Sequence, residues 1–294
     1  MPACQEARHA ESAGEAYGRS VDVEVAPPSL WDGHLVLLYR SEREYDDNLG
    51  AWIRRGLDRA ERVVLTSRPA EPQDRVLRLC ANAGVDAIPA QRIGQLVSLP
   101  PAEFYPPQGQ DELIARAAAD GFSGVRMSAQ ASTALSIMSE RDYLAAELAM
   151  DRHCRSGSFS ALCAYTRPAP SEPPLRETLA THSDGVRATG FSSARSASGV
   201  RLSGEVDLVT CDLLAAALDA AVGTATVGRE LALDLSELEF IDVAGSRMLL
   251  RATADLRAAG GRLVLRRLQR PVARALRLLD VDQEHGVRIV EDAP

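Results

Sequence analysis

Apolar and polar positions fall into two alternating kinds of block along this chain. The run "HLVLLYR" is continuous apolar sequence of strand length, and "SEREYDDNLGAWIRRGLDRAE" behind it puts Tyr45, Leu49, Trp52, Ile53 and Leu57 at helical spacing. Ser41 is the expected N-cap, with Glu44 three residues on to complete a capping box. The alternation continues with a strand at "RVVLTSR" and a helix at "PQDRVLRLCANAG" closed by Gly84. A strand at "QLVSLP", a Pro-rich loop at "PPAEFYPPQG" and a helix at "QDELIARAAADG" come next. A strand at "GVRMSAQAS", a longer helix at "SERDYLAAELAMDRHCRSG" and an apolar strand at "FSALCAYTR" follow. Such a series predicts parallel βαβ units with helices over both sheet faces.

"PAPSEPP" (168–174) breaks the series, with a short helix "LRETLATH" behind it, and "TGFSSARSASG" (189–199) reads as a linker running into a second series. That series has strands at "GVRLSGEVD", "ELALDLSELEFID", "GRLVLRRL" and "VRIVE". Helices at "LVTCDLLAAALDAAVG", after "FIDVAG" and at "QRPVARALRLLDVD" lie between them. Residues 1–28, rich in Ala, Glu and Ser and closing on Pro27-Pro28, read as a mobile tail. The expected division is 1–28, 29–188 and 189–294.

Composition narrows the chemistry. At 294 residues the chain can hold two domains, each with its own core. An apolar fraction of 46% and a charged fraction of 25% are those of a globular protein, and a net charge of −8 argues against a nucleic-acid partner. All 33 basic residues are arginine, so a Walker-type phosphate loop and a Schiff-base lysine are both excluded. Cys4, Cys80, Cys154, Cys163 and Cys211 are scattered, which suggests thiols with neither disulfides nor a zinc site. No apolar run approaches the ~20 residues of a membrane span, and no export signal is visible, so a cytoplasmic location is the expectation.

Three motifs in order, "VRLSGEVDLVTCDLLAAAL", "LALDLSELEFIDVAGSRMLL" and "GGRLVLRRLQRPVARALRLLDVD", closely resemble a STAS domain, the fold of bacterial anti-sigma factor antagonists, over about residues 189–292. "SGEVD" matches the family's G-E-x-D and "FIDVAG" its F-x-D-S-S-G. The resemblance implies Glu205 and Asp207 near the start of the regulatory helix, Phe240 in the core, Asp242 in the turn and Gly245 at the helix start. The family's phosphorylated serine falls on Ala244, which has no hydroxyl to carry the roughly −1.5 to −2 charge of a phosphate. Ser246 is rotated by roughly 200° from that position, and its expected role is helix capping or a first-turn hydrogen bond.

On the same helix, Met248, Leu249, Ala252, Leu256 and Ala259 form an apolar arc expected to face the sheet, leaving Arg247, Leu250, Arg251 and Ala254 on the other side. Leu250, framed by two arginines, is the expected apolar anchor. The partner-binding set is thus Glu205, Asp207, Asp242, Ala244, Gly245, Ser246, Arg247, Leu250 and Arg251. The arginines at 262, 266, 267, 270, 274 and 277 read as a solvated face, since nearby acids offset them and no aromatics interleave.

Residues 30–183 resemble the MEDS domain, a sensory module named from methanogens and methylotrophs. "GHLVLLYRSEREY", "ALCAYTR" and Thr181-His182 carry the likeness. It implies the sensing of small organic molecules on a RecA-like sheet without a phosphate loop. The expected fold class is therefore α/β: a parallel-sheet RecA-like N-terminal domain plus a smaller C-terminal STAS α/β domain. In open parallel sheets ligands bind beyond the carboxyl ends of strands. Tyr39, Arg40, Thr66, Gln130 and Tyr165 are the candidates there. His34, at the opposite end of its strand, and Cys163, inside an apolar strand, are weighed as ligand contacts against structural roles. No cofactor and no metal are expected. An enzyme would have to pair Cys163 or Cys154 with His34, His153 or His182, but no spacing suggests a nucleophile and base, and no G-x-S-x-G elbow is present.

The combined expectation is a non-catalytic anti-sigma factor antagonist. Its STAS domain would bind a serine-kinase-type anti-sigma factor, under the control of a small ligand in the MEDS-like domain and not of phosphorylation. The rival expectation is a scaffold component of a STAS-containing stress-signalling assembly. A homodimer is left open by the sequence.

Overall fold

Ser41 caps the first helix as expected: its side chain accepts from the Glu44 amide at 3.2 Å, while the Glu44 carboxylate reaches back to the Arg40 amide at 2.7 Å. The computed structural model describes residues 32–66, 74–167, 178, 181–182, 184–196, 199–223 and 230–290. The expected tail, Cys4 and most of the "LRETLATH" helix lie outside them. The first half runs β1 (His34–Tyr39), α1 (Glu42–Asp58), β2 (Arg62–Thr66), α2 (Arg75–Asn82), α3 (Ala87–Arg92), β3 (Leu96–Leu99), α4 (Pro101–Phe104), α5 (Pro107–Ala119), β4 (Val125–Gln130), α6 (Ala131–Leu135), α7 (Glu140–Arg155) and β5 (Phe159–Thr166). The second half runs β6 (Gly185–Ala188), β7 (Phe191–Ser196), β8 (Gly199–Val206), α8 (Cys211–Gly223), β9 (Glu230–Ile241), α9 (Val243–Ala252), α10 (Ala254–Ala258), β10 (Arg262–Arg266), α11 (Arg270–Leu278), a 3-10 turn (Val281–Gln283) and β11 (Val287–Val290).

The strands form one sheet in the order β11-β10-β9-β8-β7-β6-β1-β5-β4-β2-β3. Every pairing is parallel except those of β7 with β6 and β8. The fold class is the expected α/β, a mostly parallel N-terminal sheet followed by a STAS-like domain. β1 and β4 are buried along their whole length; β1 accordingly reads as a continuous apolar run, whereas β4 buries Arg126, Ser128 and Gln130 in alternation with apolar residues. Their side chains divide by alternation. Val36, Leu38, Cys163 and Tyr165 pack towards α5 and α7, whereas Leu35, Leu37 and Tyr39 pack against Trp52 and Ile53 of α1.

Most of the stretch expected to be a linker is strand. Ala188 pairs with Phe191, leaving Thr189-Gly190 as a two-residue hairpin loop, and Gly190 takes the positive φ of 79° that such a loop needs. β7 therefore has a strand on each side, and one apolar core runs from Val36 through Val186 and Phe191 to Leu202 and Leu233.

Three other expectations are corrected. The Pro-rich loop holds α4, and α5 begins at Pro107; each has proline in its first turn, where no backbone donor is lost. The single helix after Asp242 is two, α9 and α10, parted at Thr253, whose hydroxyl bonds the Leu249 carbonyl at 2.8 Å. Ala259 falls beyond α10 and is exposed. Phe240, expected in the core, is 49% exposed. The partners of Gly204 and Glu205 are Leu238 and Phe240, so Glu239 is an extra residue in the ladder. That bulge leaves Glu239 and Phe240 both exposed and gives the buried place to Ile241. No described helix is long and apolar enough to cross a membrane.

Candidate functional site

The junction of β8 and β9 with the helices that follow them gathers the STAS-motif residues. Val206 pairs with Ile241, and the Asp242 amide donates to the Val206 carbonyl at 3.0 Å, so the two strand ends are held together. Asp242 is the N-cap of α9, its carboxylate accepting from the Gly245 amide at 2.7 Å. Asp207 does the same for its own loop, accepting from the Val209 and Thr210 amides at 2.8 and 3.0 Å. Desolvation works against its ionised form, but the Thr210 and Val209 donors hold its carboxyl below the ordinary value. Both acids are thus spent on backbone amides. Glu205 is exposed.

Gly245 and Ser246, expected to meet a partner, are turned inward. A Cβ at Gly245 would stand 2.5 Å from Val206 Cγ1, so only glycine lets α9 lie this close to β8. Ser246 is 1% exposed, and it is Asp242, not Ser246, that caps the helix. Arg247 and Arg251 are exposed and Ala244 half-buried. Leu250, the expected anchor, is half-buried and packs against the core. The large apolar side chains that do reach solvent here are Leu208 at 79%, Val209 at 52%, Phe240 at 49% and Val243 at 45%. Leu208, Val209 and Val243 escaped notice in the sequence. An apolar pair between the turn residues Asp207 and Thr210 was the signal available.

The ligand candidates of the first half are split by the sheet. On the α1 face, Gln130 Nε2 donates to the Tyr39 hydroxyl at 3.1 Å and Thr166 Oγ1 donates to it at 3.3 Å. Thr66 bonds the Ser128 carbonyl at 3.3 Å, and Arg40 is exposed. Tyr165, also expected at the carboxyl edge, faces the other way, its hydroxyl 2.7 Å from that of Tyr143.

On that opposite face His34, Cys163 and Tyr165 meet α7 and His182. The His34 and His182 rings lie 4.1 Å apart, and the Tyr165 ring stands edge-on to His182 at 5.8 Å. Between the histidines sits Glu147 of α7, with Oε2 3.1 Å from His34 Nε2 and 3.0 Å from His182 Nε2. Cys163 Sγ is 3.6 Å from His34 Nε2. Asp151, one turn beyond Glu147, places Oδ1 3.7 Å from His34 Nδ1. Asp184 anchors the start of β1 by accepting from the His34 amide at 2.7 Å.

Burial works against a charge on His34, but Asp151 and Glu147 outweigh it and raise the imidazole to about 9. For Glu147 burial favours the neutral acid, yet His182 and His34 hold the carboxyl well below its usual range. His182 is pushed down by burial and then by His34. Burial also pushes the Cys163 thiol well up. One ring nitrogen from each of His34 and His182, Cys163 Sγ and a Glu147 oxygen form a set of atoms within 4.8 Å of one another that could hold a metal ion. Neither Glu147 nor Asp151 was picked out from the sequence. Their signal was two acids on the same helical arc as Tyr143, Ala146, Met150 and Cys154. His153 lies apart, 3.4 Å from Asp111.

Comparison with known proteins fits this division. Residues 33–183 match the family described as MEDS, the MEthanogen/methylotroph, DcmR sensory domain, and residues 189–291 match the family described as Mlab, STAS domain. No curated protein matches the chain. Among solved structures, the anti-sigma factor antagonist SpoIIAA in its unphosphorylated form is 19% identical, covering 35% of this chain and 89% of its own, with a TM-score of 0.29. An anti-sigma factor antagonist from Mycobacterium paratuberculosis is 26% identical over 33% of this chain and 82% of its own, with a TM-score of 0.27. A KaiC-like protein from Pyrococcus horikoshii OT3 is 14% identical over 58% of this chain and 76% of its own, with a TM-score of 0.40. With a MEDS match over half of its length and a STAS match behind it, the chain belongs to the MEDS family and carries its sensory domain in front of a STAS domain.

Proposed function

We propose that the protein is an anti-sigma factor antagonist whose STAS domain docks on a serine-kinase-type anti-sigma factor, with the MEDS domain and not a phosphate setting its availability. The observation that carries this reading is the group of exposed apolar side chains around Ala244. Leu208, Val209, Phe240 and Val243 all reach solvent within four residues of the point where Asp242 ties β9 to β8. Apolar side chains gathered at one functional loop end and rimmed by the exposed Glu205, Arg247 and Arg251 have the make-up of a docking surface. Ala244 offers no acceptor, and the Ser246 hydroxyl is buried, so a kinase finds no hydroxyl to modify on this turn.

Control from the MEDS side has a route. His182 and Asp184 lie just before β6, which pairs with β1 on one edge and with β7 on the other; β7 then pairs with β8, the strand that ends at the docking junction. Arg167, just after β5, also pairs with Asp212 of α8. A ligand acts through this route only as far as it binds one arrangement better than the other, and a coupling of about 1–3 kcal/mol would change partner affinity about 5- to 150-fold. The reading includes no turnover. Cys163 is 1% exposed and its thiol is pushed up by burial, the opposite of a nucleophile's surroundings.

The test uses the full chain and a serine-kinase-type anti-sigma factor from the same genome. Phe240→Asp is expected to weaken binding roughly tenfold or more while the domain stays folded, because the side chain is 49% exposed and fills no closed part of the core. Incubation with that kinase and ATP is expected to leave residues 189–290 without phosphate. Unchanged affinity in Phe240→Asp, or stoichiometric phosphate on Ser246, overturns the reading.

A further inference from the structure

Four side chains far apart in sequence present one ligand atom each to a common place between the sheet and α7. His34, Glu147, Cys163 and His182 come from the start of β1, the middle of α7, the middle of β5 and the segment before β6, and none is more than 3% exposed. Bringing a carboxylate to such a place costs several kcal/mol unless its oxygens are paired. Yet both Glu147 oxygens, His182 Nε2 and His34 Nδ1 lack a hydrogen bond. The contacts of Glu147 Oε2 with the two histidines, at 3.0 and 3.1 Å, are close enough for charge to matter.

The tautomer of His182 sharpens this. Its Nδ1 lies 2.6 Å from the Thr178 carbonyl oxygen, and a carbonyl can only accept, so Nδ1 carries the hydrogen. In the neutral ring Nε2 is then a bare lone pair, aimed at the carboxylate Glu147 Oε2 3.0 Å away. In that state acceptor faces acceptor in a place without solvent, and a positive centre between them, a proton on the ring or a metal ion, makes the arrangement favourable.

We propose that these four residues bind a divalent transition-metal ion of the zinc class. Two imidazoles, a thiolate and a carboxylate are the nitrogen, sulfur and oxygen donors that such ions take, and four donors complete a tetrahedron. With bonds of about 2.0–2.3 Å, the edges of that tetrahedron are roughly 3.3–3.7 Å long. Three of the six separations, at 3.0, 3.1 and 3.6 Å, lie within a few tenths of an ångström of these edges, and all six are within 4.8 Å. Charge also balances: one thiolate and one carboxylate neutralise a 2+ ion, so the site is neutral where a net charge would be expensive. On binding, the Cys163 thiol and the His34 imidazolium each give up one proton to solvent, as Cys163 Sγ and His34 Nε2 take their bonds to the metal. The outer groups are those that orient metal-bound histidines. His182 Nδ1 is held by the Thr178 carbonyl, and His34 Nδ1 faces Asp151, itself fixed by Arg155 at 2.7 Å.

This inference deepens the sensory half of the function proposed above by naming a ligand class. It is read on this chain alone, so a missing metal and a missing docking partner are separate outcomes. The experiment titrates the chelator-treated full chain with Co2+ under reducing conditions, followed by Zn2+. The expected result is one equivalent bound per chain, with a thiolate-to-cobalt charge-transfer band in the near ultraviolet and tetrahedral d–d bands in the visible, all abolished by one equivalent of Zn2+. The wild-type titration depends on no variant folding. Cys163→Ser is expected to lose the charge-transfer band, Cys80→Ser to keep it, and Asp151→Asn to weaken affinity about 10- to 100-fold. A wild type that binds no equivalent, or a charge-transfer band that survives in Cys163→Ser, overturns the assignment.

Discussion

Gly245 shows how one residue fixes the docking junction. Asp242 caps α9 through the Gly245 amide, and the missing Cβ lets the helix settle on Val206 and Ile241. Gly245→Ala puts a methyl group 2.5 Å from Val206 Cγ1 and 3.0 Å from both Ile241 Cγ1 and the Val206 carbonyl oxygen. Such overpacking destabilises by about 1–3 kcal/mol, and helix propensity returns no more than about 1 of it. Urea unfolding is the measurement, with a lower midpoint expected and a midpoint equal to wild type counting against this packing. The motif "FIDVAG" already pointed to Asp242 and Gly245. It could not reveal that Gly245 and Ser246 face inward or that Phe240 faces out, because the packing of α9 on β8 and the bulge at Glu239 decide which residues have room. Glu147 is the converse case. In sequence it is one acid among 41 acidic residues, and its importance comes from partners at positions 34, 163 and 182.

Among the elements, the β6–β7 hairpin decides how the two families meet. Gly185 opens β6 at φ 146° with its Cα so near β7 that a Cβ would stand 2.1 Å from the Ser193 carbonyl oxygen. Gly185→Val is therefore expected to unpair the start of the hairpin while leaving the β1–β5 and β8–β9 ladders intact. Amide hydrogen exchange is the readout: faster exchange in 185–196 than in β5 and β9 is expected, and uniform exchange throughout would refute it. The strands and long helices of both halves were legible because their apolar periods are regular. The hairpin was not. Thr, Gly, Ser and Arg in "TGFSSARSASG" have no apolar period, and what makes them strand is a hydrogen-bonding neighbour on each side. α3 and α6 escaped for a related reason, since six and five residues are too short to show a helical period.

At the scale of the whole molecule, the sheet and the core beneath it pass from one family's domain into the other's without a gap. Residues of β1, β4 and β5 share a single apolar cluster with residues of β8, β9 and β10, joined by Val186 and Phe191. A boundary of this kind has no solvated seam at which one half can melt alone. Thermal unfolding of the full chain is expected to give one cooperative transition, with tryptophan fluorescence, which reads Trp31 and Trp52, and far-ultraviolet dichroism coinciding. Two transitions about 10 °C or more apart would mean that the halves are independent, and the route from His182 to β8 would fail with them.

The sequence by itself determined the α/β class, the two families, the alternation of buried strands with amphipathic helices, the lack of a phosphate-loop lysine and an alanine where the STAS motif it resembles has a serine. Each is a local property, written in residue type and short-range period. The tertiary structure alone decided that the two sheets are one, that Leu208, Val209, Phe240 and Val243 reach solvent where β8 and β9 end, and that His34, Glu147, Cys163 and His182 converge. Those depend on which strand lies beside which and on which face each side chain takes, and neither is a property of any short stretch of chain.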